Sequence, residues 1–368
     1  MCTLLFPFLY CSFLLVYHIK TNSSTGTKIG GHSSIVAGIA PYNYPVFLAI
    51  DKVAYAIAMG NAFILKPASY TPVSGLVIAE CFHEAGLPAG ILNVLIGAGN
   101  VVGDALIEDP RINMIAFTGS SDVGCEIAKR AASHLKRYSL EMGGKNPFIV
   151  LKDADIEMAA EKAIIGAYFN AGQICMSSSR IIVEKEVYEK FCKTFQNKVK
   201  QIKTGNPHDK ETMVGPLVHE KQCAVLDQHI MDAVSKGANL VCGGQHTGAF
   251  YQPSLLVDVT PEMDVFFEES FGPLTSVVCA EDETMAIDLA NSGIYGLSSA
   301  VFTNDVNKAL RIVEKIEAGM VHINDSTVVG STRAPFGGVK KSGTGREGLI
   351  SVEEYTEMKW ITIQYSQL

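Results

Sequence analysis

The chain has 368 residues, of which 48% are hydrophobic and 18% are charged, and its formal net charge is −8. This length and composition are typical of a compact globular protein with two or three domains, and they exclude a disordered chain. The 30 basic residues form no run longer than Lys340-Lys341, so we expect no nucleic-acid partner.

The nine cysteines are odd in number and widely scattered. None belongs to a Cys-x-x-Cys pair, and no histidine or cysteine lies at the spacing of a zinc site. The sequence therefore predicts reduced thiols in a reducing, cytoplasmic compartment and no structural metal.

Residues 1–19 are apolar and contain no Asp, Glu, Lys or Arg. A secretory signal is one interpretation, although a basic n-region is missing. A membrane anchor over residues 2–19 is another, although the run is short and contains Pro7 and His18. The third is a non-native start, such as an alternative first exon, and we treat residues 1–33 as an atypical hydrophobic leader.

Further along, short apolar runs alternate with helical periods. The pattern predicts strands within residues 32–40, 62–65, 91–96 and 112–117, interleaved with helices over residues 72–86, 99–108 and 122–136. The helix that starts at Pro72 has Thr71 as its N-cap and Gly86 as its stop.

A second round of elements follows. Its strands are predicted over residues 147–151, 180–183, 240–242, 276–279, 299–302 and 320–323, and its helices over residues 155–168, 186–203, 283–291 and 305–316. Strand, helix and strand at this spacing favour parallel crossovers, so we expect an α/β fold with two Rossmann-like, parallel-sheet domains joined near residues 141–146. Residues 359–365 alternate weakly and predict a last strand.

Cys175 is the candidate nucleophile of the second domain. It lies in Gly-Gln-Ile-Cys, and Glu141 lies 34 residues upstream in Glu-Met-Gly-Gly-Lys. A thiol and a carboxylate can hold a carbonyl carbon covalently and then release it with water. The alternative for Cys175 alone is a small buried thiol that only packs.

Three other candidate sites lie where predicted strands end. Asn43 lies between Pro41 and Pro45 in a rigid turn, where it is either a turn former or a donor to an oxyanion. Lys66 directly follows a buried strand, at the edge where open parallel sheets bind ligands. Gly119 and Ser120 lie between a strand and a helix, which suits a phosphate but is also ordinary turn chemistry.

Two segments in the last third of the chain complete the set of candidate sites. Glu269 and Phe271 belong to Glu-Glu-Ser-Phe-Gly-Pro, which is either a solvated loop or a carboxylate placed for a ribose diol. Residues 335–348 contain five glycines in fourteen positions, and a flexible linker is the alternative there.

In this order and spacing, the motifs resemble the NAD(P)-dependent aldehyde dehydrogenase superfamily from about residue 34 to the C-terminus. The resemblance rests on Asn43, Lys66-Pro67 and the motifs at residues 117–120, 141–145, 172–175, 269–273, 291–297 and 335–338. Residues 321–326 are most similar to the benzaldehyde and vanillin dehydrogenase type.

The resemblance implies a cofactor-binding domain over residues 34–144 and a catalytic domain over residues 145–333. Residues 334–368 would be a Gly-rich loop followed by a C-terminal oligomerisation strand, in a homo-oligomer. The implied reaction is the NAD- or NADP-dependent oxidation of an aldehyde, and an aromatic aldehyde if the subtype holds, to a carboxylic acid.

In that reaction the resemblance implies that the Cys175 thiolate attacks the aldehyde. The Asn43 side chain and the Cys175 N–H would hold the oxyanion, and Glu141 would activate the water that hydrolyses the thioester. Lys66 would contact the adenosine ribose, Gly119 and Ser120 the pyrophosphate, and Glu269 the nicotinamide ribose, with Phe271 packed near the nicotinamide.

Two departures from the family pattern matter. Many NAD-preferring members carry a glutamate three residues after the lysine, and here Ser69 stands at that cofactor-binding position, which leaves the choice between NAD and NADP open. Only 42 residues precede Asn43, and the family has a longer region there, which favours the truncated or alternative start.

Other hypotheses remain at this point. The first hypothesis is that the chain is an active aldehyde dehydrogenase. The second is that it is an inactive fragment that serves as a binding or subunit-interaction module. A membrane-anchored enzyme held by residues 2–19 is a third hypothesis, and a cysteine hydrolase is a fourth, for which no histidine lies in a comparable motif.

Overall fold

The structure is a computed structural model that describes residues 25–29 and 34–361. Residues 2–19, to which the signal and anchor interpretations refer, lie outside this part of the chain, as do residues 362–368. None of the helices within the described residues has the length and apolar character needed to cross a membrane.

Strands and helices alternate through the first part of the chain. They are β1 (Thr25–Ile29), β2 (Ile35–Ile39), α1 (Phe47–Ala58), β3 (Ala62–Lys66), α2 (Pro72–Glu84), β4 (Leu92–Val94), a π-helical turn (Gly99–Gly103), α3 (Asp104–Glu108), β5 (Met114–Thr118), α4 (Ser121–Ser133) and β6 (Arg137–Glu141).

The same alternation continues through the rest of the chain. Its elements are β7 (Pro147–Val150), α5 (Ile156–Tyr168), a 3-10 turn (Phe169–Gly172), β8 (Arg180–Glu184), α6 (Lys185–Val199), α7 (Lys221–Ser235), β9 (Asn239–Cys242), β10 (His246–Thr247), β11 (Phe250–Tyr251), β12 (Ser254–Val257), α8 (Asp264–Phe267), β13 (Leu274–Ala280), α9 (Glu283–Asn291), β14 (Tyr295–Gly296), β15 (Ser298–Phe302), α10 (Val306–Val313), β16 (Met320–Ile323), β17 (Val339–Lys340), α11 (Ser351–Glu354) and β18 (Glu357–Ile361).

Local signals explain several helix ends. Asp155, Asp282 and Asp305 cap α5, α9 and α10, because each aspartate side chain accepts a hydrogen bond from a backbone N–H of the first turn. Pro72 occupies the first position of α2, and Gly86 follows that helix with a φ of +84°, a conformation that glycine adopts without strain.

The chain divides into two compact units. Of the described residues, the first comprises 25–29, 34–141, 332–335 and 345–361, and the second comprises 142–331 and 336–344. Among the described residues of the first unit, a parallel sheet has the strand order β4-β3-β2-β5-β6. Its core contains the fully buried Val53, Phe63 and Leu65. Separately, β1 pairs with β18 in an antiparallel ribbon.

The second unit is built on a larger sheet of strand order β16-β15-β7-β8-β13-β12-β9, within the described residues. Its strands are parallel except for β9, which runs antiparallel to β12. All five residues of β8 are buried, which is typical of a strand covered on both faces. The two parallel sheets confirm the predicted α/β fold class.

Candidate active site

Predicted site residues of the first unit lie at or just beyond the carboxyl ends of its strands. Lys66 closes β3 and Glu141 closes β6, while Asn43 lies four residues beyond β2 and Gly119 one residue beyond β5. These four strands are neighbours in the sheet, in the order β3-β2-β5-β6. The structure therefore gathers these residues at one sheet edge, where open α/β sheets bind their ligands.

Lys66 and Ser69 differ in burial although they are close in sequence. Lys66 is buried, its Nζ donates to the carbonyl of Pro67 at 3.1 Å, and burial lowers the pKa of its ammonium group. Ser69 is exposed and its Oγ donates to Gly97 O at 3.3 Å. The side chain three residues after Lys66 is therefore an exposed, neutral hydroxyl.

The Gly119-Ser120 turn joins β5 to α4 with little room for side chains. A Cβ atom at Gly119 would lie 2.5 Å from the ring of Phe117, and the Gly119 N–H donates to Glu141 O at 3.1 Å. Ser120 is the N-cap residue of the 13-residue helix α4 and has extended backbone angles. The first N–H groups of such a helix are donors for an anion, and the glycine lets it approach the backbone.

Glu141 is buried, with 3% of its surface exposed. Among the described residues, neither of its carboxylate oxygens has a hydrogen-bond partner. Burial raises the pKa of Glu141 well above its ordinary value, and the negative charge of Glu347 raises it further. A carboxyl group in this state accepts a proton readily, which suits a general base.

The charged groups around Glu141 were not predicted from the sequence. Lys52 on α1 donates to the carboxylate of Glu347, and both side chains are buried. Glu354 accepts hydrogen bonds from Ser139 Oγ at 2.5 Å and from the Arg346 N–H at 2.7 Å. The charges of Lys52 and Arg346 lower the pKa of Glu141, whereas those of Glu347 and Glu354 raise it. The base candidate therefore lies in a network that tunes its proton affinity.

In the second unit, a strained turn leads to Cys175. Asn170, Ala171 and Gly172 all have left-handed backbone angles, with φ of +50°, +55° and +67°. A Cβ atom at Gly172 would overlap the carbonyl of Gly272, so only glycine fits there. Left-handed conformations of non-glycine residues cost about 1–3 kcal/mol each and persist where surrounding contacts enforce them. Cys175 itself is half-buried.

The Glu269 carboxylate and the backbone carbonyl of Cys175 both lie against the same dipeptide, Gly143-Gly144. Glu269 Oε1 accepts a hydrogen bond from the Gly144 N–H at 3.0 Å, and a Cβ atom at Gly143 would overlap the Glu269 carboxylate. A Cβ atom at Gly144 would lie 2.5 Å from Cys175 O. The two glycines therefore let a carboxylate and the candidate nucleophile segment pack against one backbone segment.

Buried charges surround Glu269. Burial raises the pKa of Glu269 to about 7, against the opposite effects of the Gly144 N–H and Lys145. Lys145 is 3% exposed, and burial followed by the positive charge of Arg180 lowers its pKa to about 7. Phe271, two residues after Glu269, is half-buried with a φ of +47°. The predicted residues of this unit thus lie in one compact, strained region.

Comparison with known proteins shows what these residues belong to. The model of the aldehyde dehydrogenase family matches residues 33–361. A benzaldehyde dehydrogenase of Bacillus subtilis, YfmT, is 41% identical over 337 residues, which are 91% of this chain and 70% of the relative. A vanillin dehydrogenase of Corynebacterium glutamicum is 44% identical over 336 residues, with 90% of this chain and 69% of the relative covered.

Solved structures agree with the sequence relatives. A salicylaldehyde dehydrogenase from Pseudomonas putida G7, solved in complex with salicylaldehyde, superposes with a TM-score of 0.92 at 39% identity and covers 95% of this chain and 74% of that one. The match spans all the motifs discussed above and favours an enzyme over an inactive binding module. The sequence-based assignment is confirmed, and the chain belongs to the aldehyde dehydrogenase family.

Proposed function

We propose that this protein oxidises an aromatic aldehyde to the carboxylic acid with NAD or NADP as the hydride acceptor. The observation that carries the proposal is that the Glu269 carboxylate and the backbone carbonyl of Cys175 both pack against Gly143-Gly144. A carboxylate that holds the ribose next to the nicotinamide would then lie against the same backbone segment as the residue that holds the substrate. Hydride transfer needs the cofactor and the substrate to be held close together, and a shared backbone segment supports this.

The residues of each unit fit a dinucleotide. The N-terminus of α4 and the tight Gly119 turn suit a pyrophosphate, Lys66 lies at the same sheet edge, and Glu269 is anchored by a backbone donor. We assign Lys66 to the adenosine ribose, Gly119 and Ser120 to the pyrophosphate, and Glu269 to the nicotinamide ribose. When bound, the nicotinamide accepts a hydride, and Phe271 would pack against it.

The chain's own residues supply the remaining chemistry. The Cys175 thiolate forms a C–S bond to the aldehyde carbon, and the Asn43 side chain and Cys175 N–H stabilise the oxyanion that develops. Loss of hydride from that carbon leaves a thioester on Cys175. Glu141 removes a proton from water, the hydroxide displaces the thiolate, and the acid is released.

Domain roles follow from this assignment. Residues 34–144 would bind the cofactor and residues 145–333 would carry the nucleophile, with residues 334–368 contributing a Gly-rich loop and an oligomerisation strand. The aromatic preference is supported by the benzaldehyde, vanillin and salicylaldehyde dehydrogenases among the relatives.

The proposal is tested by following NAD(P)H absorbance with benzaldehyde and with an aliphatic aldehyde of similar size. Wild-type protein should reduce the cofactor faster with benzaldehyde, and Cys175→Ala should abolish the signal. Cys279→Ala, which removes another half-buried free cysteine of the second unit, is the matched control and should retain activity. Folded wild-type protein without activity towards either aldehyde would refute the proposal.

Homo-oligomerisation and a reducing compartment are the remaining parts of the proposal. The ribbon of β1 and β18 is a candidate subunit contact. The described cysteines are free thiols, which supports a reducing, cytoplasmic location. Light scattering after size-exclusion chromatography measures the oligomeric state. Fractionation of cells that express the full chain measures the location. A monomer, or full recovery in the membrane fraction, would contradict the respective part.

A further inference from the structure

The segment that follows the candidate nucleophile is held by side chains from other elements. Residues 175–179 offer five consecutive carbonyls, and each accepts a hydrogen bond from a side chain distant in sequence. These bonds run from Asn146 Nδ2 to Cys175 O (2.8 Å) and Ser177 O (2.9 Å), from Thr327 Oγ1 to Met176 O (2.6 Å), from Thr275 Oγ1 to Ser178 O (2.7 Å), and from Ser276 Oγ to Ser179 O (3.1 Å). A backbone segment with every carbonyl fixed in this way has little freedom to turn.

Of these five carbonyls, Thr327 holds Met176 O, which is linked to the amide of Cys175 through one further hydrogen bond. Met176 O belongs to the peptide unit that carries the Ser177 N–H, and that N–H donates to Ile174 O at 2.9 Å. Ile174 O in turn belongs to the peptide unit that carries the Cys175 N–H. Because each trans peptide unit is planar, its N–H points opposite to its carbonyl. Fixing Met176 O therefore fixes, through two peptide planes, the direction of the Cys175 N–H.

The Thr327 hydroxyl is itself fixed in direction. Its single proton goes to Met176 O, since a carbonyl can only accept, so Ser178 Oγ must donate to Thr327 Oγ1 across their 2.7 Å contact. Ser298 Oγ donates to Thr327 O at 2.7 Å. Thr327, Ser178 and Ser298 are all fully buried, so water does not compete for these bonds.

Small residues make room for this arrangement. A Cβ atom at Gly166 of α5 would overlap Ser178 Oγ, and the carbonyl of Gly166 accepts a hydrogen bond from the Ser178 N–H at 2.9 Å. A neighbouring helix thus leaves space for the hydroxyl that donates to Thr327. The hydrogen-bond chain is built into the packing of the second unit.

We propose that Thr327 is a positioning residue that aims the Cys175 N–H at the oxyanion formed during attack by the thiolate. The proposal rests on the proposed function, in which that N–H is an oxyanion donor. Loss of the Thr327 hydroxyl would leave Met176 O without its donor and let both peptide planes rotate. Addition of the thiolate to a carbonyl would slow, while the thiolate itself would be unaffected.

Two reactions of Cys175 separate these effects. Acylation by p-nitrophenyl acetate passes through a tetrahedral oxyanion, forms the C–S bond and expels p-nitrophenolate, and it needs no nicotinamide. Alkylation by iodoacetamide displaces iodide at a saturated carbon and develops no oxyanion. Both rates are measured on wild-type protein, Thr327→Val and Thr327→Ser, with attachment to Cys175 verified by peptide mass.

Thr303→Val is the matched control. Thr303 is buried in the same unit, and its Oγ1 donates to Asp153 Oδ2 at 2.7 Å, so this variant loses a comparable buried hydroxyl bond. Thr327→Val should acylate about tenfold to a hundredfold more slowly, the range expected for a misplaced or missing oxyanion donor. Its alkylation rate should stay within about twofold of wild type. Thr327→Ser and Thr303→Val should match wild type in both reactions.

Several outcomes would overturn the inference. They are an unchanged acylation rate in Thr327→Val, a parallel fall in acylation and alkylation, or an equal fall in Thr303→Val. Thr327→Ala takes the place of Thr327→Val if the latter does not fold, with the same expectation. Wild-type protein that is acylated on Cys175 but never reduces NAD or NADP would refute the proposed function and leave this inference standing.

Discussion

The Gly144 N–H donates a hydrogen bond of 3.0 Å to the Glu269 carboxylate, and this bond exists because Gly143 has no side chain. At the neighbouring Gly144, an added Cβ atom would lie 2.5 Å from Cys175 O. One backbone segment thus sets the positions of a proposed cofactor ligand and of the proposed nucleophile. Glycine is required at both positions by the space available, and this requirement can be tested directly.

Gly143→Ala should displace the Glu269 carboxylate, since the new methyl group would overlap it. We expect the dissociation constant for NAD or NADP to rise about tenfold, or about 1.4 kcal/mol, as measured by calorimetry. Gly215→Ala is the control, because a Cβ atom there would meet Pro207 at an ordinary 3.7 Å. Equal cofactor affinity in both variants would contradict the role given to Glu269.

The raised pKa of Glu269, about 7, makes a prediction about stability and pH. The folded-state pKa of this carboxyl lies above its unfolded value. The free energy of unfolding of the protein therefore falls as the pH rises from that unfolded value through about 7. Glu269→Gln cannot ionise, so its stability relative to wild type should increase between about pH 5 and pH 8, by at most about 3 kcal/mol. Urea denaturation without cofactor measures the difference. Glu189→Gln, on the exposed face of α6, is the control, and a curve for Glu269→Gln that does not differ from that of the control would refute the prediction.

Lys52→Met should destabilise the first unit and shift the pH–rate profile. Removing one member of the buried pair with Glu347 leaves a buried carboxylate without its partner, which costs about 3–5 kcal/mol. Because the Lys52 charge lowers the pKa of Glu141, the rising limb of the profile should move to higher pH. Lys129→Met, at a lysine that is 80% exposed, should change stability by less than about 0.5 kcal/mol. An unchanged pH–rate profile in folded Lys52→Met protein would show that Lys52 does not influence the pKa of the general base.

Ser69→Glu should shift the cofactor preference towards NAD. The exposed Ser69 hydroxyl is neutral, and a carboxylate there would repel the 2′-phosphate of NADP. We expect the ratio of kcat/KM for NAD to that for NADP to rise about tenfold, or about 1.4 kcal/mol. Ser69→Gln, of similar size without charge, should leave the ratio near its wild-type value. If Gln and Glu shift the ratio equally, size and not charge controls the choice.

Local patterns in the sequence predicted much of the fold. Buried strands such as β3 and β5, and helices with clear caps such as α5, follow from short-range signals. The strand β6, which carries Glu141, was missed because Arg137 and Tyr138 are exposed and interrupt its apolar pattern. The helix α7 was also missed, although Cys223, Leu226 and Ile230 repeat at helical spacing.

The candidate site was predicted only where a residue belongs to a motif. Lys52 belongs to no motif in the sequence, and its partner Glu347 lies 295 residues away. Thr327 likewise binds a carbonyl 151 residues away. Such pairings depend on which strands and loops meet in the folded chain, and a single sequence without homologues does not reveal them.

The central claim is a thioester on Cys175 that Glu141 helps to hydrolyse, and Glu141→Gln tests it most directly. Mixed with benzaldehyde and the preferred cofactor, this variant should form about one equivalent of NAD(P)H and then slow by about 10²–10⁴-fold, because hydride transfer precedes hydrolysis. Peptide mass analysis should find a benzoyl group on Cys175 that hydroxylamine removes. Turnover at the wild-type rate, or a benzoyl group on any other residue, would contradict the account.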